Sequence, residues 1–167
     1  MVLYRILLYG TNMSMSEAEA KTLGWQLMEV SKMTYLTTIQ PDGYPNTRCL
    51  WNLRNRKMFG RLYSFFKEHK DDYLVLFSTN TSSNKIAHIK DNPKVSVYFC
   101  DPEDSRGLTL IGDAVIDMSR EIREVLWDPE WVFYYPGGIE DPDFSVISFK
   151  PNKARYYHRL EGCEFNL

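Results

Sequence analysis

The run Thr81-Ser82-Ser83-Asn84-Lys85 holds three successive hydroxyls with a lysine two places on. The apolar residues before it and the pattern after it predict a strand, a turn and a helix over 82–91, stopped at Asn92-Pro93. Hydroxyls at a helix start satisfy first-turn N–H groups. Those N–H groups, together with the helix dipole, attract an anion, and Lys85 would add a full charge. The chemistry is phosphate capture. An ordinary capped helix with a solvated lysine fits the same residues.

A second candidate is Gly43-Tyr44-Pro45-Asn46-Thr47-Arg48-Cys49-Leu50-Trp51-Asn52. On a strand, Arg48, Leu50 and Asn52 share one face. Arg48 there could meet a phosphate bidentately or pair with a surface carboxylate. A third is Trp127-Asp128-Pro129-Glu130-Trp131-Val132-Phe133-Tyr134-Tyr135-Pro136-Gly137-Gly138. So many aromatics fill a core or a dimer interface, or form a wall against a flat ligand ring.

Other chemistries lack their motifs. The chain has no GxGxxG, Walker or GxSxG sequence. His69, His88 and His158 show no ligand spacing, and His88 reads as a surface or packing residue of its helix. Cys49, Cys100 and Cys163 form no CxxC, so neither a disulfide framework nor a zinc site is indicated. That cysteine usage fits a reducing, cytoplasmic setting.

The elements that must position these residues are mostly strands. Ser16-Glu17-Ala18-Glu19 is a capping box, and Ala20, Leu23, Leu27 and Val30 follow at helical spacing, predicting an amphipathic helix over 16–32 that caps a sheet. Strands are expected at 35–39 and 46–53, joined by the Pro41-Asp42-Gly43 turn. The stretch 59–72 reads as loop with a short helix at 62–68. A buried strand follows at 73–78, then strands at 94–100 and 108–118, with Gly112 marking a bulge or a close backbone approach. Short helices are expected at 119–126, capped by Ser119, and at 130–135. Strands at 144–149 and 154–158 close the pattern, joined by Lys150-Pro151-Asn152. Strands interrupted only by short helices point to a closed β-barrel.

A length of 167 residues predicts one domain with a real core. A hydrophobic fraction of 44% excludes a disordered chain. The net charge of −2 gives no support for a nucleic-acid partner, which would need a basic face, and leaves room for a local basic pocket for one phosphate. Residues 1–9 are apolar but too short to span a membrane and lack a cleavage site. Residues 1–15 read as a leader of unsettled status, with Met13 or Met15 as alternative starts.

Taken in order, these residues resemble the pyridoxamine 5'-phosphate oxidase-like split barrels, in particular their general stress protein branch. The resemblance covers 16–158 and is densest over 77–99 and 127–149. It implies an FMN-binding split β-barrel, mainly β with short helices, forming a homodimer with two flavin sites at the interface. It implies that Ser78, Thr79 and Asn80 line the isoalloxazine edge, that Ser83, Asn84 and Lys85 take the phosphate with Arg48, and that Leu50, Trp51 and Asn52 belong to the second flavin strand. Trp131, Tyr134 and Tyr135 match the tyrosine-rich helix of the stress branch, which also carries a Gly-Gly turn and an Asp-Pro-Asp, here Asp141-Pro142-Asp143.

The chain departs from the true oxidases at four places. Asn84 stands for an Arg, Leu53 for a Lys and Gly107 for a flavin-contacting Gln. The tail from His158 to Gly162 lacks their pyridoxal phosphate motif, leaving Arg159 and His158 as its cations. The resemblance therefore implies a flavin-dependent oxidoreductase or reductase, with NAD(P)H as a candidate donor, and not an efficient pyridoxine phosphate oxidase. A non-catalytic flavin carrier or sensor, or a fold relative holding another phosphorylated ligand, remain as alternatives.

Overall fold

A computed structural model describes residues 15–167. The expected leader and a start at Met13 lie outside the described residues. Helix α1 (Glu17–Val30) begins where the capping box places it: the Ser16 hydroxyl accepts the Glu19 N–H at 3.2 Å. Its buried face is Ala20, Gly24, Trp25, Leu27 and Met28, so the stripe is turned from the expected one and Val30 is exposed. Gly24 lets the helix approach the sheet, since a Cβ there would lie 3.2 Å from Leu108.

Strands β1 (Met33–Ile39) and β2 (Pro45–Trp51) form the expected hairpin. A 3₁₀ turn (Gly60–Leu62) leads into helix α2 (Tyr63–Glu68), and strand β3 (Val75–Asn80) into helix α3 (Asn84–Asp91). Strands β4 (Lys94–Asp101) and β5 (Arg106–Asp117) follow, then helix α4 (Arg120–Leu126) and 3₁₀ turns at Pro129–Phe133 and Gly138–Glu140. Strand β6 (Phe144–His158) and strand β7 (Glu161–Asn166) complete the described chain.

Three expectations are corrected. The strands predicted at 144–149 and 154–158 are one strand. Its Lys150-Pro151-Asn152 segment is the bulge where the β5–β6 register shifts at Gly112, and a Cβ on Gly112 would sit 3.1 Å from the Pro151 Cα. Proline is tolerated at a bulge, where its missing N–H breaks no ladder bond. The tail carries a seventh strand, β7, paired with the second half of β6. The sheet is also not a closed barrel. It is antiparallel in the order β2-β1-β4-β5-β6-β3, with β7 beside β6. The end strands β2 and β3 do not pair, which leaves an open seam and gives a split barrel.

Two apolar clusters hold this arrangement. One lies inside the curved sheet and includes Leu27, Leu36, Phe77, Phe99, Leu108 and Tyr156. The other lies outside β3 and β6, under α2 and α4, and includes Leu53, Phe66, Leu76, Leu126, Tyr135 and Phe144. Covering on both faces explains why Val75, Leu76 and Phe77 read as one continuous apolar run.

Asn52 ties α1 to the end of β2. Its Nδ2 donates to the Met28 and Ser31 carbonyls, each at 2.7 Å, and its Oδ1 accepts the Arg54 N–H at 3.1 Å. Arg54 beside it is buried between the rings of Trp25 and Phe66, and burial brings its guanidinium down to about 9. Replacing Asn52 by Leu would strand the Met28 carbonyl and the Arg54 N–H, while the Ser31 carbonyl keeps Asn55 Nδ2 at 3.1 Å. Asn52→Leu is expected to cost about 2–4 kcal/mol, read as a lower urea midpoint at unchanged slope.

Candidate functional site

The open seam forms the candidate site. A cleft of about 730 Å³ runs along it. Cys49, Leu50 and Trp51 of β2 form one bank, and Phe77, Ser78 and Asn80 of β3 the other. Leu53 and Phe59 lie at one side, and Trp131, Phe133, Tyr134 and Tyr135 at another. That volume suits a ligand with a ring system.

The aromatic segment divides between the roles left open for it. Tyr135 is 7% exposed and packs on Phe144 at 5.1 Å between ring centres. Trp131 packs on Phe144 and Trp127. Phe133 and Tyr134, in contrast, are 83% and 69% exposed, and Trp51 across the cleft is 53% exposed. Tyr135 still reaches the cleft, where its hydroxyl donates to Asn80 Oδ1 at 3.5 Å.

Beside the cleft, two cations face each other across the seam. Lys85, in the first turn of α3, donates to Thr79 Oγ1 of β3 at 2.7 Å. Arg48 of β2 donates through Nη1 and Nη2 to Thr38 Oγ1, both at 2.9 Å, through Nη1 to the Leu36 carbonyl at 3.3 Å, and through Nη2 to Asn46 Oδ1 at 2.6 Å. Neither is ion-paired with a carboxylate among the described residues. Burial lowers the pKa of both, and the positive charge of Arg48 lowers that of Lys85 further. The arrangement disfavours its own charge and calls for an anion.

The helix start is free to help. Ser83 is the N-cap by position, but its hydroxyl meets Thr79 Oγ1 at 3.3 Å and caps no amide. The Asn84 and Lys85 amides have no acceptor among the described residues. The turn before them is braced from outside the helix. Asp143 Oδ1 accepts the Ser82 N–H at 2.9 Å, Asp143 Oδ2 accepts Asn80 Nδ2 at 2.5 Å, and the Thr81 hydroxyl donates to the Pro142 carbonyl at 2.8 Å. The bonds from Asn80 and Ser82 hold the Asp143 carboxyl below its usual range.

The sequence-derived set thus falls into three groups. Leu50, Trp51, Ser78, Asn80, Trp131, Tyr134 and Tyr135 line the cleft. Arg48, Thr79, Ser83, Asn84 and Lys85 gather at the cation pair beside it. Asn52 is in neither group, because β2 ends at Trp51 and the next residue turns under α1. The bidentate reach expected of Arg48 is also altered: its four terminal N–H groups already have acceptors within the protein, leaving the Nε–H. Among the lining residues that sequence reasoning missed are Met33, Cys49, Leu53, Phe59 and Phe133. Cys49 could have been found from the strand face it shares with Trp51; Met33 and Phe59 carry no local signal.

The family model for pyridoxamine 5'-phosphate oxidase matches residues 26–158. A protein from Clostridium acetobutylicum, related to general stress protein 26 of B. subtilis, superposes with a TM-score of 0.70 at 29% identity, over 91% of this chain and 97% of that one. General stress protein 26 from Bacillus anthracis gives 0.65 at 17% identity, over 88% and 98%. A heme binding protein from Mycobacterium smegmatis gives 0.62 at 15% identity, over 88% of this chain and 57% of that one. The last two likenesses show the fold alone. No curated protein matches the chain.

Opposed cations predict a site that trades stability for binding. Lys85→Met should raise the ligand-free melting temperature by about 1–3 °C, because it removes a half-buried charge and its repulsion from Arg48. The same variant should lose anion-induced stabilisation. Calorimetry with and without phosphate checks both.

Proposed function

This chain belongs to the pyridoxamine 5'-phosphate oxidase family, and on that premise we propose that it is an FMN-binding flavoprotein of the general stress protein type, acting as a flavin-dependent oxidoreductase or reductase. One observation carries the reading: two half-buried cations without carboxylate partners, beside two free helix amides, at the edge of an aromatic-lined cleft. A phosphate dianion answers both cations and both amides. The cleft beside it accommodates the ring system of the same molecule.

FMN, when bound, supplies the redox chemistry. The protein's part is position and environment. Lys85, the Arg48 Nε–H and charge, Ser83 and the amides of Asn84 and Lys85 would hold the phosphate. Ser78 and Asn80 offer hydrogen-bonding groups along one edge of the cleft. Leu50, Trp51, Trp131 and Tyr134 would exclude water from it once a second copy covers the exposed rings.

The exposed Trp51, Phe133 and Tyr134 would be covered by a second copy, giving a symmetric homodimer whose aromatic segment borders the partner's ring. Light scattering at micromolar concentration should give twice the chain mass.

Pyridoxine phosphate is a poor candidate substrate. The tail's two cations already face a carboxylate: His158 Nε2 lies 3.2 Å and Arg159 Nη2 3.8 Å from Asp104 Oδ1, at the β6–β7 turn. A second phosphate would have to displace Asp104 from both.

The freshly purified protein should show flavin absorbance or take up FMN on titration. Alanine at Arg48 or Lys85 should each weaken FMN binding by about 1.5–3 kcal/mol, and affinity should fall with salt. Unchanged FMN binding in the double variant would place the site elsewhere. Anaerobic bleaching by NADH or NADPH identifies a reductase, and its absence a carrier or sensor. In air, pyridoxal phosphate should form from pyridoxine phosphate at well under about one turnover per second.

A further inference from the structure

The three histidines of this chain have different partners. His69 Nδ1 lies 2.9 Å from Asp72, and His158 Nε2 3.2 Å from Asp104. His88 has no carboxylate partner among the described residues. It is 8% exposed, on the inner face of α3 one turn after Lys85, and its Nδ1 lies 2.9 Å from Thr38 Oγ1 on β1.

Thr38 is fully buried, and its hydroxyl is the atom that receives both terminal nitrogens of Arg48 at 2.9 Å. A hydroxyl has two acceptor sites and one proton. Two Arg48 N–H groups occupy both acceptor sites. The proton then has one remaining partner, His88 Nδ1. That geometry favours one direction for the bond: Thr38 donates and His88 Nδ1 accepts, which places the ring hydrogen on Nε2.

Resting on the flavin reading, we propose that Thr38 and His88 are positioning residues that hold the Arg48 guanidinium at the seam, and so set the preference for phosphorylated over unphosphorylated flavin. Neither would touch the ligand. With Leu36 and Asn46, they take up the terminal N–H groups of Arg48, so the guanidinium plane is fixed before an anion arrives. Such preorganisation is lost if the arginine is free to swing. The four hydrogen bonds come from β1 and β2, and His88 comes from α3. The relay therefore links the two cations' elements, since Lys85 sits on the same helix.

The variants are His88→Leu and Thr38→Val, which break the relay, and His88→Asn, whose Oδ1 can accept the Thr38 proton in place of Nδ1. FMN and riboflavin differ only in the phosphate, so their affinity ratio reads the anion site alone. The ratio should fall about tenfold in His88→Leu and Thr38→Val and stay within about twofold of wild type in His88→Asn. Riboflavin affinity and melting temperature report whether each variant is folded. In the ligand-free wild type, ¹⁵N-histidine NMR should assign His88 to the neutral form protonated at Nε2.

A wild-type preference for FMN that survives intact in His88→Leu and Thr38→Val would overturn the relay. So would an Nδ1–H tautomer. A wild type that binds FMN no better than riboflavin would instead sink the flavin reading, and the tautomer alone would then decide the relay.

Discussion

The split between β2 and β3 is the constraint on which the rest of the structure depends. Pairing those two strands would have closed the sheet and removed both edges. Instead α3 lies across one end of the gap, with Lys85 bonded to Thr79 of β3 and His88 to Thr38 of β1. The helix takes the position a closing pair would need, and it presents its N-terminus there. The cleft, the cation pair and the aromatic border are all consequences of that opening. A fully closed sheet of the same strands would have had only a packed interior.

A gap of this kind is costly to keep, and the sequence shows where the cost falls. Arg48 and Lys85 both lie half-buried with lowered pKa values and no carboxylate to answer them among the described residues. Elsewhere the protein does answer its cations: Arg106 has Asp101 and Asp104, and Lys153 has Glu164. The buried Arg54 is placed against two rings and backbone carbonyls of the α2 region. Arg123 likewise rests on backbone carbonyls, whereas at the seam two half-buried cations meet. Sites that sacrifice stability in this way are the usual mark of binding.

What could be read in the sequence was local. The Ser16 cap, the turn at 81–83 with its helix, the Gly112 bulge and the β1–β2 hairpin each carry their signal within a few residues. The errors have a common origin in long-range pairing. Lys150-Pro151-Asn152 looks like a turn, and only its partner across the sheet, Gly112, makes it a bulge within one strand. Strand β7 has one buried apolar residue, Phe165, so no alternating pattern announces it. Closure could not be judged either, because it depends on whether two strands roughly thirty residues apart come into register. In the candidate site, Arg48 and Lys85 were legible from residue type. The engagement of Arg48 by Thr38 and Asn46 was not, and neither was the burial of Asn52, since both require knowing where β2 ends.

The acidic loop at 141–143 explains how the two halves of the cleft stay matched. Asp143 accepts from the turn that leads to Lys85, through the Ser82 amide and Asn80. Two residues earlier, Asp141 Oδ2 accepts the Gly137 N–H at 2.9 Å, holding the end of the aromatic segment. Arg123, nearly buried in α4, donates to the carbonyls of Ile139 and Asp141 and keeps the loop in place. The cation pair and the aromatic border of the cleft therefore hang from one short loop. A shift of that loop must move Asn80, the helix start and Tyr135 together. A ligand that joins a phosphate to a flat ring engages both ends at once, and the ordering already built into the loop is ordering the ligand need not impose. On the proposed flavin reading, a free phosphate or a bare ring would gain from only one end, so the architecture would favour the molecule that joins the two.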